Sequence, residues 1–262
     1  MLLKGNFSVE GLNVSENWEI YFSEFEGHAA TILVDMEVTE EIEVKEFPIA
    51  MVVRLSYKNP DINGFLYFEE AQILDELEAQ LNEKLEKHSI ITPGRITSNG
   101  VREYVFYAQQ NVVDVLISNC DEVFGQKEYA FEIIELQEEE PWEFYFNVLY
   151  PNQYEQQYIG NQWLTGQLEE HGDRAEVPRE ITHILYFKDT KGMKKFLKAV
   201  KKEGFSPDMD SLELNEDGYY TCLINHTEAV ELPIINSVTD YLITIAEKYE
   251  GIYDGWETSV IK

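Results

Sequence analysis

Little in this chain points to a secreted or membrane-embedded protein. Only two of its 262 residues are cysteines, Cys120 and Cys222, and 102 positions separate them. Neither forms a CxxC pair or a metal-type spacing, so the sequence predicts buried, reduced thiols. No apolar run approaches the roughly 20 residues that span a bilayer, and the first residues lack the layout of a secretory signal. These absences predict a cytoplasmic protein without a membrane partner.

Positive charge is scarce as well. Fifty acidic residues stand against 20 lysines and arginines, which gives a net charge of −30. Such a chain repels nucleic-acid phosphates, so no direct nucleic-acid binding is expected. Acidity favours attraction to a basic partner, although a solvated acidic surface without any partner is the simpler reading of charge alone.

The motifs that mark common catalytic sites are missing. The sequence contains no GxSxG nucleophile elbow, no P-loop and no GxGxxG. Its five histidines never stand at HxH or HxxxH spacing, which argues against a zinc site. Residues 208–218, DMDSLELNEDG, resemble a calcium loop, but Glu213 stands where that loop needs glycine. The sequence therefore predicts a protein that is not an enzyme and that holds no cofactor or metal.

The first half of the chain has the pattern of an α+β domain. Residues 47–57 are predicted as a strand, and 68–88 as a helix with apolar positions at helical spacing. Asn99-Gly100 predicts a hairpin, which a short helix and a strand follow. An added hairpin comes before these elements. After them, residues 142–150, WEFYFNVLY, are predicted as an apolar strand at the junction with the second half.

The second half repeats this order after an added helix at 153–173. A strand at 181–187 precedes a helix at 190–204, and Asp217-Gly218 predicts another hairpin. A helix over 232–251 follows, with proline near its start and glycine at its end. A strand closes the chain, so the order is again β-α-β-β-α-β.

That repeated order is the split βαβ, or ferredoxin-like, plan. The sequence therefore predicts an α+β protein of two tandem ferredoxin-like (βαββαβ) domains with antiparallel sheets. The predicted domains are residues 1–150 and 151–262.

The closing segment EGIYDGWETSVIK offers a candidate interaction site. Gly251 is predicted to end the last helix, Tyr253-Asp254-Gly255 to turn the chain, and Trp256 to begin the last strand, which Val260 and Ile261 continue. Anchoring of Trp256 in a core is the favoured interpretation. The alternative is an exposed recognition corner formed by Tyr253, Asp254 and Trp256.

A second candidate lies where seven of the 20 basic residues fall, between positions 188 and 202. The lysines of the predicted helix fall on one face, opposite the apolar one, with Lys191, Lys195 and Lys198 as candidate interaction residues. This face is either a docking stripe for an acidic or phosphate-bearing partner or a solvated surface that the chain's own acids partly neutralise.

Both halves resemble known families. GDRAEVPREITHILYFKDTKGMKKFLKAVKKEGF and the terminal YDGWE resemble the RraB family, regulators of ribonuclease E activity. NWEIY, GRITSNGVREYVFY and PWEFYFNVLYP are similar to the family of domains of unknown function 695. The residues that carry the RraB resemblance are Gly172, Asp173, Arg179, His183, Phe187 and Tyr253 to Glu257.

The RraB resemblance implies a non-catalytic, acidic regulator that binds a ribonuclease and lowers its activity. The expected partner is a protein with a basic segment, because an acidic folded surface attracts basic, disordered arms. Two alternatives stay open from the residues alone. The first alternative is an immunity-type inhibitor of a toxin, which the acidic composition fits equally well. The second and weaker alternative is an enzyme with an interdomain cleft.

Overall fold

A computed structural model describes residues 17–208 and 214–262, and its contacts divide the chain into two compact units, Met1–Pro151 and Asn152–Lys262. It is a mixed α+β structure with two antiparallel sheets, of six and four strands. The elements of the first unit are β1 (Trp18–Phe25), β2 (His28–Asp35), α1 (Val38–Glu41), β3 (Ile49–Ser56), α2 (Phe68–Leu85), β4 (Ile90–Ser98), β5 (Val101–Ala108), α3 (Val113–Val123) and β6 (Phe131–Glu135).

The six-stranded sheet has the order β1-β2-β4-β5-β3-β6, and α2 and α3 pack on one of its faces. Leu74, Leu77 and Leu81 of α2 are buried against the central strands because their helical spacing places them on one side. The hairpin β1–β2 extends the sheet beyond β4. The predicted first strand, long helix and added hairpin are therefore confirmed.

The predicted turn at Asn99-Gly100 is also confirmed. Both residues have positive φ, 44° and 82°, which is the conformation of a two-residue hairpin turn. It joins β4 to β5 with Ser98 paired to Val101.

The predicted strand over residues 142–150 is wrong. The segment is a helical turn followed by a π-helix at Tyr145–Leu149, which packs on the sheet face opposite α2 and α3. Tyr145 and Leu149 are fully buried at a spacing of four residues, which is that of a helix rather than a strand, and Trp142, just before the helix, is fully buried as well. The Trp142 ring stacks on Tyr107 at 4.0 Å, and its Nε1 donates to the Phe47 carbonyl at 3.1 Å.

The second unit begins with the predicted added helix, which the structure confirms. Its four strands have the order β10-β7-β9-β8, and all its helices pack on one face of that sheet. The elements are α4 (Gln153–Glu170), β7 (Arg179–Phe187), α5 (Thr190–Val200), β8 (Ser206–Pro207), β9 (Tyr220–Glu228), α6 (Leu232–Lys248) and β10 (Gly251–Thr258). Part of the strand predicted before Asp217-Gly218, and of the 208–218 segment, lies outside the described residues.

The last strand begins earlier than predicted. Helix α6 ends at Lys248, the chain reverses through Glu250 (φ 60°), and Gly251 already belongs to β10. Glycine is needed there because an added Cβ would lie 2.2 Å from the Phe187 ring. The predicted turn at Tyr253-Asp254-Gly255 is a β-bulge inside the strand. The strand ends at Thr258, so the prediction that Val260 and Ile261 continue it is wrong.

Replacing Trp142 tests whether the π-helical segment is part of the core. Trp142→Ala should destabilise the protein by about 3–5 kcal/mol, because the lost ring is fully buried. Phe146→Ala is the control, since Phe146 is 49% exposed, and it should cost about 1 kcal/mol. Urea unfolding measures both, and equal losses would contradict the assignment.

Candidate interaction surfaces

The first group of family-like residues forms a buried ion pair. Arg179, at the start of β7, and Asp173, in the preceding loop, lie 2.5 Å apart with side chains 2% and 1% exposed. Arg179 also donates to the Ser259 carbonyl at 3.2 Å, and Asp173 accepts from the Ile261 amide at 2.6 Å. Burial raises the pKa of Asp173, but these hydrogen bonds outweigh burial and hold the pKa below its usual value. The pair therefore fastens the segment after β10 to the start of β7.

The second group is a chain of aromatic hydrogen bonds inside the same unit. His183 of β7 is fully buried; its Nδ1 lies 2.8 Å from the Tyr253 hydroxyl and its Nε2 lies 3.1 Å from His226 Nδ1. Burial, followed by the nearby His226, lowers the pKa of His183 to about 3. Burial also lowers the pKa of His226. Neutral imidazoles at ordinary pH therefore join three strands, β7, β9 and β10, to one another.

Trp256 closes a third buried network. Its Nε1 donates to the Asn161 Oδ1 at 2.7 Å, and the Asn161 amide nitrogen donates to Asn236 at 2.8 Å and to Thr239 at 3.0 Å. Asn161 lies on α4, Asn236 and Thr239 lie on α6, and Trp256 is 7% exposed. The network therefore joins two helices to the last strand.

These placements separate the three residues of the predicted recognition corner. Tyr253 and Trp256 point into the core, 4% and 7% exposed, whereas Asp254 is exposed at the bulge. Anchoring of the last strand by Trp256, the favoured interpretation of the sequence, matches this arrangement. Of these three residues, only Asp254 has an exposed side chain.

The predicted lysine face exists on α5. Lys191, Lys195 and Lys198 are exposed, while Met193, Phe196 and Val200 on the opposite side are buried. Within residues 17–208 and 214–262, none of these three lysines forms an ion pair. The positive charge of this face is thus available to solvent.

Sequence reasoning missed a further surface, the face of the four-stranded sheet that carries no described helix. Side chains alternate along β7 and β10, so Ile184, Tyr186 and Ile252 point away from the helices, and Ile252 is 47% exposed. The exposed Asp254 and Glu257 lie along the same strand face. We call this surface, Ile184, Tyr186, Ile252, Asp254 and Glu257, the open face. The open face could have been predicted from the alternation of buried and exposed residues along β10. It was missed because residues 253–255, which lie inside that strand, were predicted as a turn.

The described residues provide no metal centre and no reactive thiol. Among residues 17–208 and 214–262, no three histidine, cysteine or acidic side chains are placed to hold a metal ion. Both cysteines are buried and free, as predicted, and burial raises the pKa of Cys120 and of Cys222 to about 12. No helix in this part of the chain is both long and apolar enough to cross a bilayer.

The second unit of this α+β protein is similar to a known family, because residues 158–258 match the family model described as Regulator of ribonuclease activity B. The chain belongs to the Family of unknown function (DUF695), whose model matches residues 16–150. Both predicted resemblances are confirmed. No curated protein matches the chain. A crystal structure of an unknown protein from Galdieria sulphuraria is 12% identical and aligns over 81% of this chain and 99% of its own, with a TM-score of 0.23.

The anchoring function of Trp256 can be tested with a matched tryptophan. Trp256→Ala should cost about 3–5 kcal/mol, because it removes a buried ring and leaves Asn161 without one hydrogen bond. Trp163→Ala, at a position 66% exposed on α4, should change stability by about 0.5 kcal/mol or less. Urea unfolding compares them, and an unchanged midpoint for Trp256→Ala would contradict the anchor.

The buried histidine predicts a loss of stability in mild acid. Unfolded His183 takes up a proton below about pH 6.5, whereas the folded side chain stays neutral until about pH 3. The contribution of neutral His183 to the free energy of unfolding is therefore fully present above pH 6.5. It is lost as the pH falls towards 3, by about 1 kcal/mol for each pH unit.

Urea unfolding at pH 7.5 and 5.5 measures this effect. His183→Gln should reduce the pH dependence by about 1 kcal/mol across that interval, whereas His28→Gln, at an exposed position, should leave it unchanged. Identical pH dependence in the wild type and in His183→Gln would show that the buried imidazole is not responsible.

Proposed function

We propose that this chain is a non-catalytic regulator that binds a ribonuclease or another RNA-processing enzyme through a basic segment of that partner. The match of residues 158–258 to the regulator family is the observation that carries the proposal. The net charge of −30 supports a basic protein partner and disfavours binding to the RNA substrate itself. Such a function would be exerted in the cytoplasm.

The proposal includes two ferredoxin-like domains, 1–150 and 151–262. Support comes from the strand orders β4-β5-β3-β6 and β10-β7-β9-β8. If the strands of each βαββαβ set are numbered 1 to 4 along the chain, the first set has the order 2-3-1-4 across its sheet. The second set has the same order when it is read from the other edge. All neighbouring strands in both sets are antiparallel. The division of the chain after Pro151 supports the boundary.

Burial of the family-like side chains supports a regulator rather than an enzyme. Among the titratable family-like residues, Asp173, Arg179 and His183 are buried in contacts inside the unit, whereas Asp254 and Glu257 are exposed. A catalytic acid or base must reach its substrate. The buried arrangement favours a structural role for Asp173, Arg179 and His183, and it leaves binding to exposed side chains.

The open face is the surface that fits the proposed partner. An apolar centre of Ile184, Tyr186 and Ile252 suits the apolar side of a bound segment, and Asp254 and Glu257 suit its lysines or arginines. The lysine face of α5 has the wrong sign for such a partner. We therefore assign binding to the open face and not to Lys191, Lys195 and Lys198.

Charge reversal tests this assignment. The double variant Asp254→Lys/Glu257→Lys should weaken binding of a fluorescein-labelled, arginine- and lysine-rich amphipathic peptide by about tenfold or more, because two attractive contacts become repulsive. Fluorescence anisotropy at 50 and 300 mM salt measures the affinity, which should fall with salt for the wild type. With purified ribonuclease from the same source, the wild-type protein should slow RNA cleavage and the double variant should not.

Two controls separate a defined site from bulk charge. Glu216→Lys/Asp217→Lys makes the same change in net charge at an exposed turn of the same unit and should bind almost normally. Lys191→Glu/Lys195→Glu should bind as tightly as the wild type or more tightly. Equal losses in the two acid-to-lysine variants would reject the open face, and salt-independent or absent ribonuclease binding would reject the regulator function.

A further inference from the structure

Strand β10 lies at one edge of the four-stranded sheet. Its eight residues pair with β7, and the order β10-β7-β9-β8 places no described strand of this unit on its other side. Apart from this pairing, Gly251–Thr258 form no backbone–backbone hydrogen bond in the described part of the second unit. In an antiparallel pair, roughly every second residue directs its N–H and C=O away from the neighbouring strand. The outer edge of β10 therefore presents unpaired backbone donors and acceptors.

The charged side chains beside this edge are acidic. Asp254 and Glu257 are exposed on the open face, and the sequence of β10, GIYDGWET, contains no lysine or arginine. Across residues 17–208 and 214–262, neither carboxylate forms an ion pair. Ile252 is 47% exposed on the same face. Two carboxylates and one exposed apolar side chain therefore flank the edge.

These charges disfavour the pairing of β10 with β10 of a second copy. Two such strands side by side would bring the acidic side chains of both copies together, and like charges across a strand pair are destabilising. Each copy also carries a net charge of −30. Bulges, such as the one at Asp254, and charged side chains are devices that keep sheet edges from pairing with themselves. A strand with basic side chains meets no such repulsion.

We propose that an extended, basic segment of the partner protein binds as a further strand along the outer edge of β10. Its backbone pairs with the outward groups of β10, its lysines or arginines lie beside Asp254 and Glu257, and its apolar side chains lie beside Ile252. Main-chain hydrogen bonds then supply affinity, and alternate side chains select the segment. This inference rests on the proposed function, because it takes the same basic partner and adds how that partner is bound.

The geometry of β10 sets the length and pattern of the bound segment. At about 3.3 Å per residue, its eight residues span about 26 Å, so a segment of about five to eight residues covers the edge. Successive side chains of a strand point to opposite faces, so basic residues are needed only at alternate positions. A disordered basic arm can adopt this form when it binds. A bound helix satisfies its own backbone groups and would leave the edge of β10 unpaired.

Two peptides separate strand pairing from charge attraction. Both are fluorescein-labelled and match the length of β10, with lysine alternating with valine, but the second carries a methyl group on every backbone nitrogen. The second peptide keeps the charge and donates no backbone hydrogen bond. Fluorescence anisotropy with the full chain at low salt should show that methylation weakens binding by about tenfold or more. Equal affinities would reject strand pairing and leave charge attraction as the cause of binding.

Hydrogen–deuterium exchange locates the bound peptide. With saturating unmethylated peptide, the outward amides of β10 should exchange about tenfold more slowly, or slower still, because they become hydrogen-bonded. The control is β6, an edge strand of the first unit, whose exchange should not change, because it offers only five residues and its Glu132 is paired with Arg54. Slower exchange at β6 and not at β10, or at neither strand, would overturn the site.

The same measurement with purified ribonuclease from the same source distinguishes this inference from the proposed function. Slower exchange at β10 in the ribonuclease complex would support both. Binding and inhibition of the ribonuclease without slower exchange at β10 would reject strand pairing and keep the regulator. A peptide that pairs with β10, together with no ribonuclease binding, would reject the regulator and keep the edge as a site for basic strands.

A second copy is the competing occupant of the edge. Sedimentation of the free protein should show a monomer at concentrations at which the peptide binds, because of the repulsion between the acidic edges. A dimer whose β10 amides exchange more slowly as the protein concentration rises would assign the edge to a second copy and overturn the proposal.

Discussion

One buried amide organises the second unit. The side-chain amide of Asn161 can donate two hydrogen bonds and accept two, and all four are formed. It donates to Asn236 and Thr239, and it accepts from Gln157 and Trp256. A buried amide that lost one of these partners would bear an uncompensated desolvation cost, so α4, α6 and β10 must keep one relative position. The apolar core supplies most of the driving force for folding, and this network selects a single arrangement of the elements around it.

The same constraint explains why most of the side chains that carry the family resemblance lie inside the fold, whereas Asp254 and Glu257 of the same closing motif stay on its surface. Asp173, Arg179, His183, Tyr253 and Trp256 each satisfy a buried polar group that would otherwise be costly, so they act as a set of positioning contacts. The proposed binding surface must then consist of exposed side chains, whose replacement leaves the fold unchanged. Asp254 and Glu257 of the open face and the lysines of α5 are exposed, and their charges are opposite in sign.

The sequence predicted element order well because order depends on local periodicity and on turn residues. Asn99-Gly100 and the leucines of α2 required no knowledge of the rest of the chain. The errors arose where tertiary packing overrides local pattern. Residues 142–150 are aromatic enough for a strand, yet Trp142 takes a positive φ of 63° because stacking on Tyr107 and the bond to Phe47 stabilise that conformation.

The candidate surfaces were harder to predict for a related reason. The lysine face could be read from α5 alone, since its charge and spacing are local. The open face needs the register of β7 against β10, in which a bulge between Tyr253 and Gly255 shifts the alternation and places Glu257 on the same sheet face as Ile252 and Asp254. The arginine pairs of the first unit depend on still more distant partners, because Arg95 and Arg102 lie on the two strands of the β4–β5 hairpin and their carboxylates come from α2. Sheet register therefore decides which charged and apolar side chains lie together, and the net charge of −30 gives no indication of this arrangement.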